Sequence, residues 1–244
     1  MLAASYDLHR FERRRVTALV GSYGSGKTEL VLGLAAAARQ SDKPTLIADL
    51  DVLKPYFRSR EAGQRLAALG VTMLAPEGAL ANADLPIIPH QVRSAIGRED
   101  LQVFLDVGGD PVGARVLGSL SDVLGRASCD LFLVVNRYRP FSDTFERALE
   151  QARFIANAAQ LPITGVISNT HLLDETTADD IDYGLDVARP LATALGVAVR
   201  LLGVPASLLP HFAKRDDLPP LVAIHRQMLP EFLGGVVCTP GGTA

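Results

Sequence analysis

The stretch Gly21-Ser22-Tyr23-Gly24-Ser25-Gly26-Lys27-Thr28 fits the pattern G-x-x-x-x-G-K-[S/T] at every fixed position, and the chemistry of that spacing is phosphate binding. Gly21, Gly24 and Gly26 lack a Cβ, so the backbone can turn with positive φ and aim successive N–H groups at one anion. Lys27 would set a compact positive charge on the β- and γ-phosphates, and Thr28 would offer its hydroxyl to Mg2+. A helix starting near Ser25 adds free N–H donors and the positive end of its dipole. Ser22, Tyr23, Ser25 and Glu29 complete the expected nucleotide-contacting stretch. A ligand-free glycine turn would account for the glycines but not for Lys27-Thr28 at this spacing.

Two further strands end in acids where such a loop needs them. The apolar run Thr45-Leu46-Ile47-Ala48 ends in Asp49-Leu50-Asp51, and Leu101-Gln102-Val103-Phe104-Leu105 ends in Asp106, followed by Val107-Gly108-Gly109-Asp110. Carboxyl ends of strands are where α/β sheets bind ligands, so acids there point to metal or water handling; capping the turn after the strand is the plainer alternative. Arg58, Arg60, Arg93 and Arg115 are candidates for a charge-stabilising arginine, a role worth ~10³–10⁵ in rate. Cys129 and Cys238 are too few and too far apart for a zinc motif or a disulfide framework, which suits a reducing, cytoplasmic setting. The histidines show no H-x-x-x-H spacing.

The elements that must position these residues alternate along the chain. Val16–Val20 reads as a strand, and Leu30, Val31, Leu34, Ala35 and Ala38 recur at helical spacing behind the loop until Ser41-Asp42-Lys43-Pro44. After Asp51 a loop passes into a helix through Leu69 with Gly70 as its cap, then a short strand Val71–Leu74. Residues 75–89 carry Pro76, Gly78, Pro86 and Pro89 and read as a surface loop of lid length. There follow a helix His90–Gly97, the strand to Asp106, a helix from about Val112 to Leu124, and a strand Asp130–Asn136. An amphipathic helix Ser142–Gln160 has Asp143 and Glu146 at capping-box spacing. A strand Ile163–Asn169, a helix from Asp179 towards Leu195 kinked at Pro190, a strand Val197–Gly203, a loop at Pro205 and a closing helix Leu218–Phe232 complete the order. Strict alternation implies an α/β fold: a single three-layer α/β/α domain around a mostly parallel sheet of about seven strands. Residues 1–15 read as a lead-in, 16–233 as the domain and 234–244 as a flexible tail.

A net charge of −3 and 48% hydrophobic residues give no global field for nucleic acid or anionic lipid, and no nucleic-acid partner is expected. The run Arg10, Arg13, Arg14, Arg15 reads as a solvated lead-in. No apolar stretch of 18 residues exists, and the N-terminus lacks a basic start followed by an apolar run, so neither a membrane span nor a signal peptide is expected.

The loop, the acid-ended strands and Gly165-Val166-Ile167-Ser168-Asn169 resemble the SIMIBI class of P-loop NTPases, which includes ParA/MinD-type ATPases and dethiobiotin synthetase. The stretches Asp49 to Glu61 and Asp106 to Asp110 also resemble a bacterial group of P-loop ATP-binding proteins. The resemblance implies ATP and Mg2+ as ligands, with Lys27 and Asp51 catalytic; Thr28, Asp51 and Asp106 at the metal; Gly108 and Gly109 as a switch hinge. It also implies Asn169 at the adenine edge and Pro205 beside the base, with Asn136 a second candidate. Ser22 stands where the ParA/MinD type carries a second lysine that reaches across a dimer, so that kind of dimer does not carry over, while others stay open. The implied activity is an ATPase switch acting on a protein partner. An ATP-dependent small-molecule kinase or ligase, and a nucleotide-sensing module without hydrolysis, are the alternatives. Neither Asn136-Arg137-Tyr138-Arg139 nor Asn169-Thr170-His171-Leu172 supplies the aspartate of N-K-x-D that grips guanine, so ATP is expected over GTP.

Overall fold

The computed structural model describes residues 10–38, 43–50, 66–68, 70–74, 90–109 and 111–224. Asp51, Asp110, Arg58, Arg60, the loop 75–89 and the tail 234–244 lie outside the described residues.

The described strands are β1 (Val16–Val20), β2 (Thr45–Leu50), β3 (Val71–Leu74), β4 (Gln102–Val107), β5 (Asp130–Val135), β6 (Gly165–Ser168), β7 (Val199–Pro205) and β8 (Leu221–Ile224). The helices are α1 (Lys27–Ala38), α2 (His90–Gly97), α3 (Pro111–Gly118), α4 (Ser121–Arg126), α5 (Phe145–Ala159), α6 (Ala178–Ala194) and the single turn α7 (Leu209–Phe212). All eight strands join one sheet in the order β3-β2-β4-β1-β5-β6-β7-β8, and every pairing is parallel. This is the expected three-layer α/β architecture. Because parallel sheets are covered on both faces, their strands read as continuous apolar runs; β1, β2 and β5 are buried at every position.

The two faces are covered unequally. On one, Val16, Ala18 and Val20 of β1 pack with residues of α2 to α6, among them Ile96, Leu117, Leu124, Ala152 and Leu191. On the other, Leu19, Ile47, Phe104, Phe132 and Val134 pack against Leu30, Val31, Leu34 and Ala35 of α1 and against Phe11 of the lead-in. Phe11 meets Phe132 with ring centroids 5.6 Å apart.

The lead-in differs from its solvated expectation. Arg15 donates to the carbonyls of Leu101 and Ile96, the Arg14 backbone N–H donates to Asp130 Oδ2 at 2.6 Å, and Arg13 bonds Gln102 while its guanidinium lies over the Phe104 ring. Burial pushes the Arg13 guanidinium down to about 10, with Asp130 opposing the shift. The Arg13 and Arg15 side chains thus close the N-terminal edge of the sheet, while the Arg14 side chain stays largely exposed.

Three other local expectations change. The closing helix from Leu218 gives way to β8, because Pro219-Pro220 holds the chain extended and Leu202 N–H bonds the Pro220 carbonyl at 2.9 Å, delivering Leu221 onto β7. The single helix from Val112 to Leu124 divides at Ser119-Leu120; a Cβ at Gly118 would meet the Ala158 carbonyl, so this helix end lies tight on α5. Helix α5 starts at a Thr144 N-cap, whose side chain accepts from Arg147 N–H, and not at the Asp143–Glu146 pair. Helix α6 does start with a capping box, between Thr177 and Asp180, and runs through Pro190.

Candidate functional site

β1 lies between β4 and β5, so the loop that follows it rises between the carboxyl ends of three adjacent strands. Gly21, Gly24 and Gly26 take φ of 140°, 74° and 86°, values that side-chain-bearing residues avoid. Space demands two of them as well: a Cβ at Gly21 would run into the Val134 carbonyl, and one at Gly26 into the Asn169 amide. Lys27 opens α1 and is only 8% exposed; its ammonium donates to the carbonyls of Gly21 and Ser22, at 3.0 Å each. The ammonium therefore sits inside the curl of the loop, held by the backbone it would share with an anion.

Beside it, Thr28 Oγ1 donates to Asp106 Oδ2 at 2.6 Å, and Asp106 is 3% exposed. Register sets Asp49 of β2 opposite Asp106 of β4. Alternate residues of a strand share a face, and Ile47 and Phe104, two positions earlier, pack against α1; both carboxylates thus lie on the α1 side, where Thr28 stands in the first turn of the helix. A hydroxyl and carboxylates beside a phosphate loop form the oxygen-only donor set that suits Mg2+. The sequence offered Asp49 and Asp51 together as acids for metal or water handling and gave the catalytic and metal roles to Asp51, which lies outside the described residues; Asp49 is the one the sheet register sets beside Asp106.

Gly108 and Gly109 follow β4 directly. A Cβ on Gly109 would stand 2.6 Å from both the Gly21 carbonyl oxygen and the Tyr23 nitrogen, so this backbone lies against the phosphate loop itself. A Cβ on Gly113 of α3 would meet the Gly108 carbonyl in turn. A movement at Gly109 therefore has α3 on one side and the loop on the other.

The segment after β5 forms a second wall. Ser22 is buried; its hydroxyl donates to the Pro140 carbonyl at 2.8 Å and also meets Gln151 of α5. The position of the ParA/MinD lysine thus points into the protein. Arg139 Nε donates to the Gly24 carbonyl at 3.0 Å, while Tyr23, between these contacts, is 64% exposed. Arg139 was not among the arginines the sequence suggested. Of those described, Arg93 pairs in bidentate fashion with Asp122 on the outer helical layer and Arg115 is exposed on α3.

On the base side, Asn169 is 2% exposed, with Nδ2 donating to the Ser25 carbonyl at 2.7 Å and Oδ1 facing Gly203. Its amide N–H ties the end of β6 to the phosphate loop. Asn136 is fully buried, donating to the His171 carbonyl and accepting from Tyr138 N–H, which makes it a turn organiser. Pro205 ends β7, opposite Ile224 of β8. His171 comes close to Gly26, and Leu172 beside it is exposed.

No family model matches the chain, and no curated protein matches it. Among solved structures it is similar to FtsY from Mycoplasma mycoides, at 18% identity and a TM-score of 0.48 over 78% of this chain. It is also similar to the cell division protein FtsY from Thermotoga maritima, at 22% identity and 0.49 over 78% of this chain. A third likeness is to FlhF complexed with GTP/Mg(2+), at 16% identity and 0.46 over 80% of this chain and 68% of that one. The chain spans 60% and 61% of the length of the two FtsY structures. The strand order, the loop after the central strand β1 and the acid-ended strand beside it give this chain an α/β fold of the P-loop NTPase kind.

Proposed function

We propose that this chain is an Mg2+-dependent ATP-binding protein, an ATPase switch that hydrolyses ATP and acts on a protein partner, with residues 16–233 as its one NTPase domain. The observation that carries the proposal is the bond between Thr28 Oγ1 and Asp106 Oδ2, 2.6 Å, beside a loop whose curl already holds the Lys27 ammonium. Thr28 and Asp106, with Asp51, would hold Mg2+, which would supply positive charge to offset the negative charge of the phosphates. The backbone N–H groups of the loop and Lys27 orient the phosphates. Asp51 directs the attacking water, Gly108 and Gly109 respond to the γ-phosphate, and Asn169 and Pro205 border the base, Asn169 through its hold on Ser25. ATP is favoured over GTP because Leu172, an exposed apolar side chain, stands where the guanine-gripping aspartate would be.

Phosphate release from Mg·ATP by the purified protein, beside Lys27→Ala and with GTP as competitor, tests this directly. Turnover by the wild type that is lost in the variant, and that GTP suppresses only weakly, is the expected result. GTP competing as well as ATP would overturn the base assignment. Turnover that needs an added small-molecule acceptor would replace the switch with a kinase or ligase; tight binding with no turnover would make it a nucleotide sensor. The described helices include none long and apolar enough to cross a membrane, which suits a partner that is a protein or a small acceptor.

A further inference from the structure

We propose that Arg139 is a γ-phosphate contact supplied by the chain's own β5 loop, so that the site distinguishes nucleoside triphosphate from diphosphate through this side chain. The inference deepens the proposed function and rests on that nucleotide reading.

The backbone that carries Arg139 is fixed on several sides. Its own N–H bonds the Asn136 carbonyl at 2.9 Å, Ser142 N–H bonds the Arg139 carbonyl at 3.2 Å, and the Ser142 hydroxyl donates to the Asn136 carbonyl at 2.7 Å. The next residue, Pro140, accepts from the Ser22 hydroxyl at 2.8 Å, which ties the segment to the phosphate loop. The side chain then turns back over that loop: a Cβ at Gly24 would lie 3.0 Å from Arg139 Nε and 3.3 Å from its Cζ. Nε is used on the Gly24 carbonyl. The two terminal nitrogens have no partner among the described residues, although the residue is half-buried.

Of its five N–H donors, Arg139 uses one among the described residues. Here the guanidinium is anchored by its inner nitrogen and leaves its outer fork beside the phosphate loop. That fork matches two phosphate oxygens, and such charge-assisted pairs are the stronger hydrogen bonds. The other cation of the loop, Lys27, lies on the α1 side and is held by the Gly21 and Ser22 carbonyls; Arg139 approaches from the β5 side at Gly24. Two cations on opposite sides of one loop are what the extra charge of a triphosphate requires.

Calorimetric binding of Mg·AMPPNP and Mg·ADP to the full chain, for the wild type, Arg139→Ala, Arg139→Gln and Arg139→Lys, tests the proposal. Loss of a charged hydrogen bond should weaken the triphosphate analogue by roughly 10- to 100-fold, with ADP changed far less and Lys falling between wild type and Gln. Equal losses for both nucleotides would make Arg139 a brace for the loop and overturn the proposal, as would no loss at all. Should Arg139→Ala fail to fold, the Gln and Lys variants decide by the same ratio. A wild type that binds neither Mg·ATP nor Mg·GTP overturns the nucleotide reading itself, an outcome distinct from an unchanged triphosphate-to-diphosphate ratio in a protein that does bind.

Discussion

Gly109→Ala probes the contact between the segment after β4 and the phosphate loop. The added Cβ would stand 2.6 Å from the Gly21 carbonyl oxygen and from the Tyr23 nitrogen, and ordinary contact begins at 3.4 Å. The two backbones must therefore separate by close to an ångström, and neither partner is a side chain that can swing aside. Overpacking of this kind costs about 1–3 kcal/mol, and at this chain length each kcal/mol lowers the melting temperature by about 2–4 °C. Gly33→Ala is the matched control. Gly33 lies within α1 and a Cβ there meets nothing within 4 Å, so removing glycine from a helix interior should stabilise by about 0.5–1 kcal/mol. The assay is thermal unfolding of both variants, with and without Mg·AMPPNP. We expect opposite shifts without nucleotide, and a smaller nucleotide-induced stabilisation in Gly109→Ala because the displaced backbone belongs to the loop. Equal melting temperatures, or full nucleotide stabilisation of Gly109→Ala, would refute the claim that this glycine is required by the loop's proximity.

Three further outcomes follow from the geometry. Asp106→Asn keeps the shape of the acceptor of the Thr28 hydroxyl but removes its charge, so the fold should persist while the Mg2+ concentration for half-maximal turnover rises by roughly 10- to 100-fold; an unchanged Mg2+ titration counts against the metal assignment. Asn169→Ala leaves the buried Ser25 carbonyl without its 2.7 Å donor and should cost about 1–3 kcal/mol in urea unfolding, with nucleotide binding weakened alongside; a loss under 0.5 kcal/mol, taking ~0.5 as the scale of a neutral surface change, would contradict the tie. Burial, and then the Asp130 charge, push the Cys129 thiol up to about 12. The folded chain therefore keeps this proton after the unfolded chain has lost it, and stability from this residue should fall by about 1.4 kcal/mol per pH unit above the unfolded value of ~8.5. Unfolding free energies measured at pH 8 and at higher pH should show that slope in the wild type and not in Cys129→Ala.

The sheet and the loop were legible because their signals are local. The buried strands β1, β2 and β5 read as mainly apolar runs, interrupted by Thr17, Thr45, Asp49 and Asp130, and the spacing from Gly21 to Thr28 carries its own chemistry. What was not legible depends on partners distant in sequence. Leu221–Ile224 is a four-residue apolar run that fits a helix or a strand, and β7 decides it; the preceding Pro219-Pro220 was the available clue. Arg15 of the lead-in looks like part of a solvated run until the carbonyls of Leu101 and Ile96 come within reach. Asn169, Arg139 and Ser22 each touch the loop or its neighbours from more than a hundred positions away, and no pattern of spacing announces such contacts. Asp49 joined the site through its register with Asp106, a property of the sheet and not of either segment.

The position of β1 also bears on how the chain is made. The strand that leads into the phosphate loop is the first of the sheet in sequence, yet its neighbours come much later: Val16 pairs with Val103, and Thr17 with Asp130. On a ribosome, β1 and the glycine loop emerge with no strand to pair with, and they wait for on the order of a hundred residues before either neighbour is available, a delay of ~5–20 s at 5–20 residues per second. During that interval a strand with four apolar residues of five is exposed, and the loop lacks the Asn169 and Arg139 ties. Any ligand of this loop can therefore stabilise the chain only after β4 and β5 have been made.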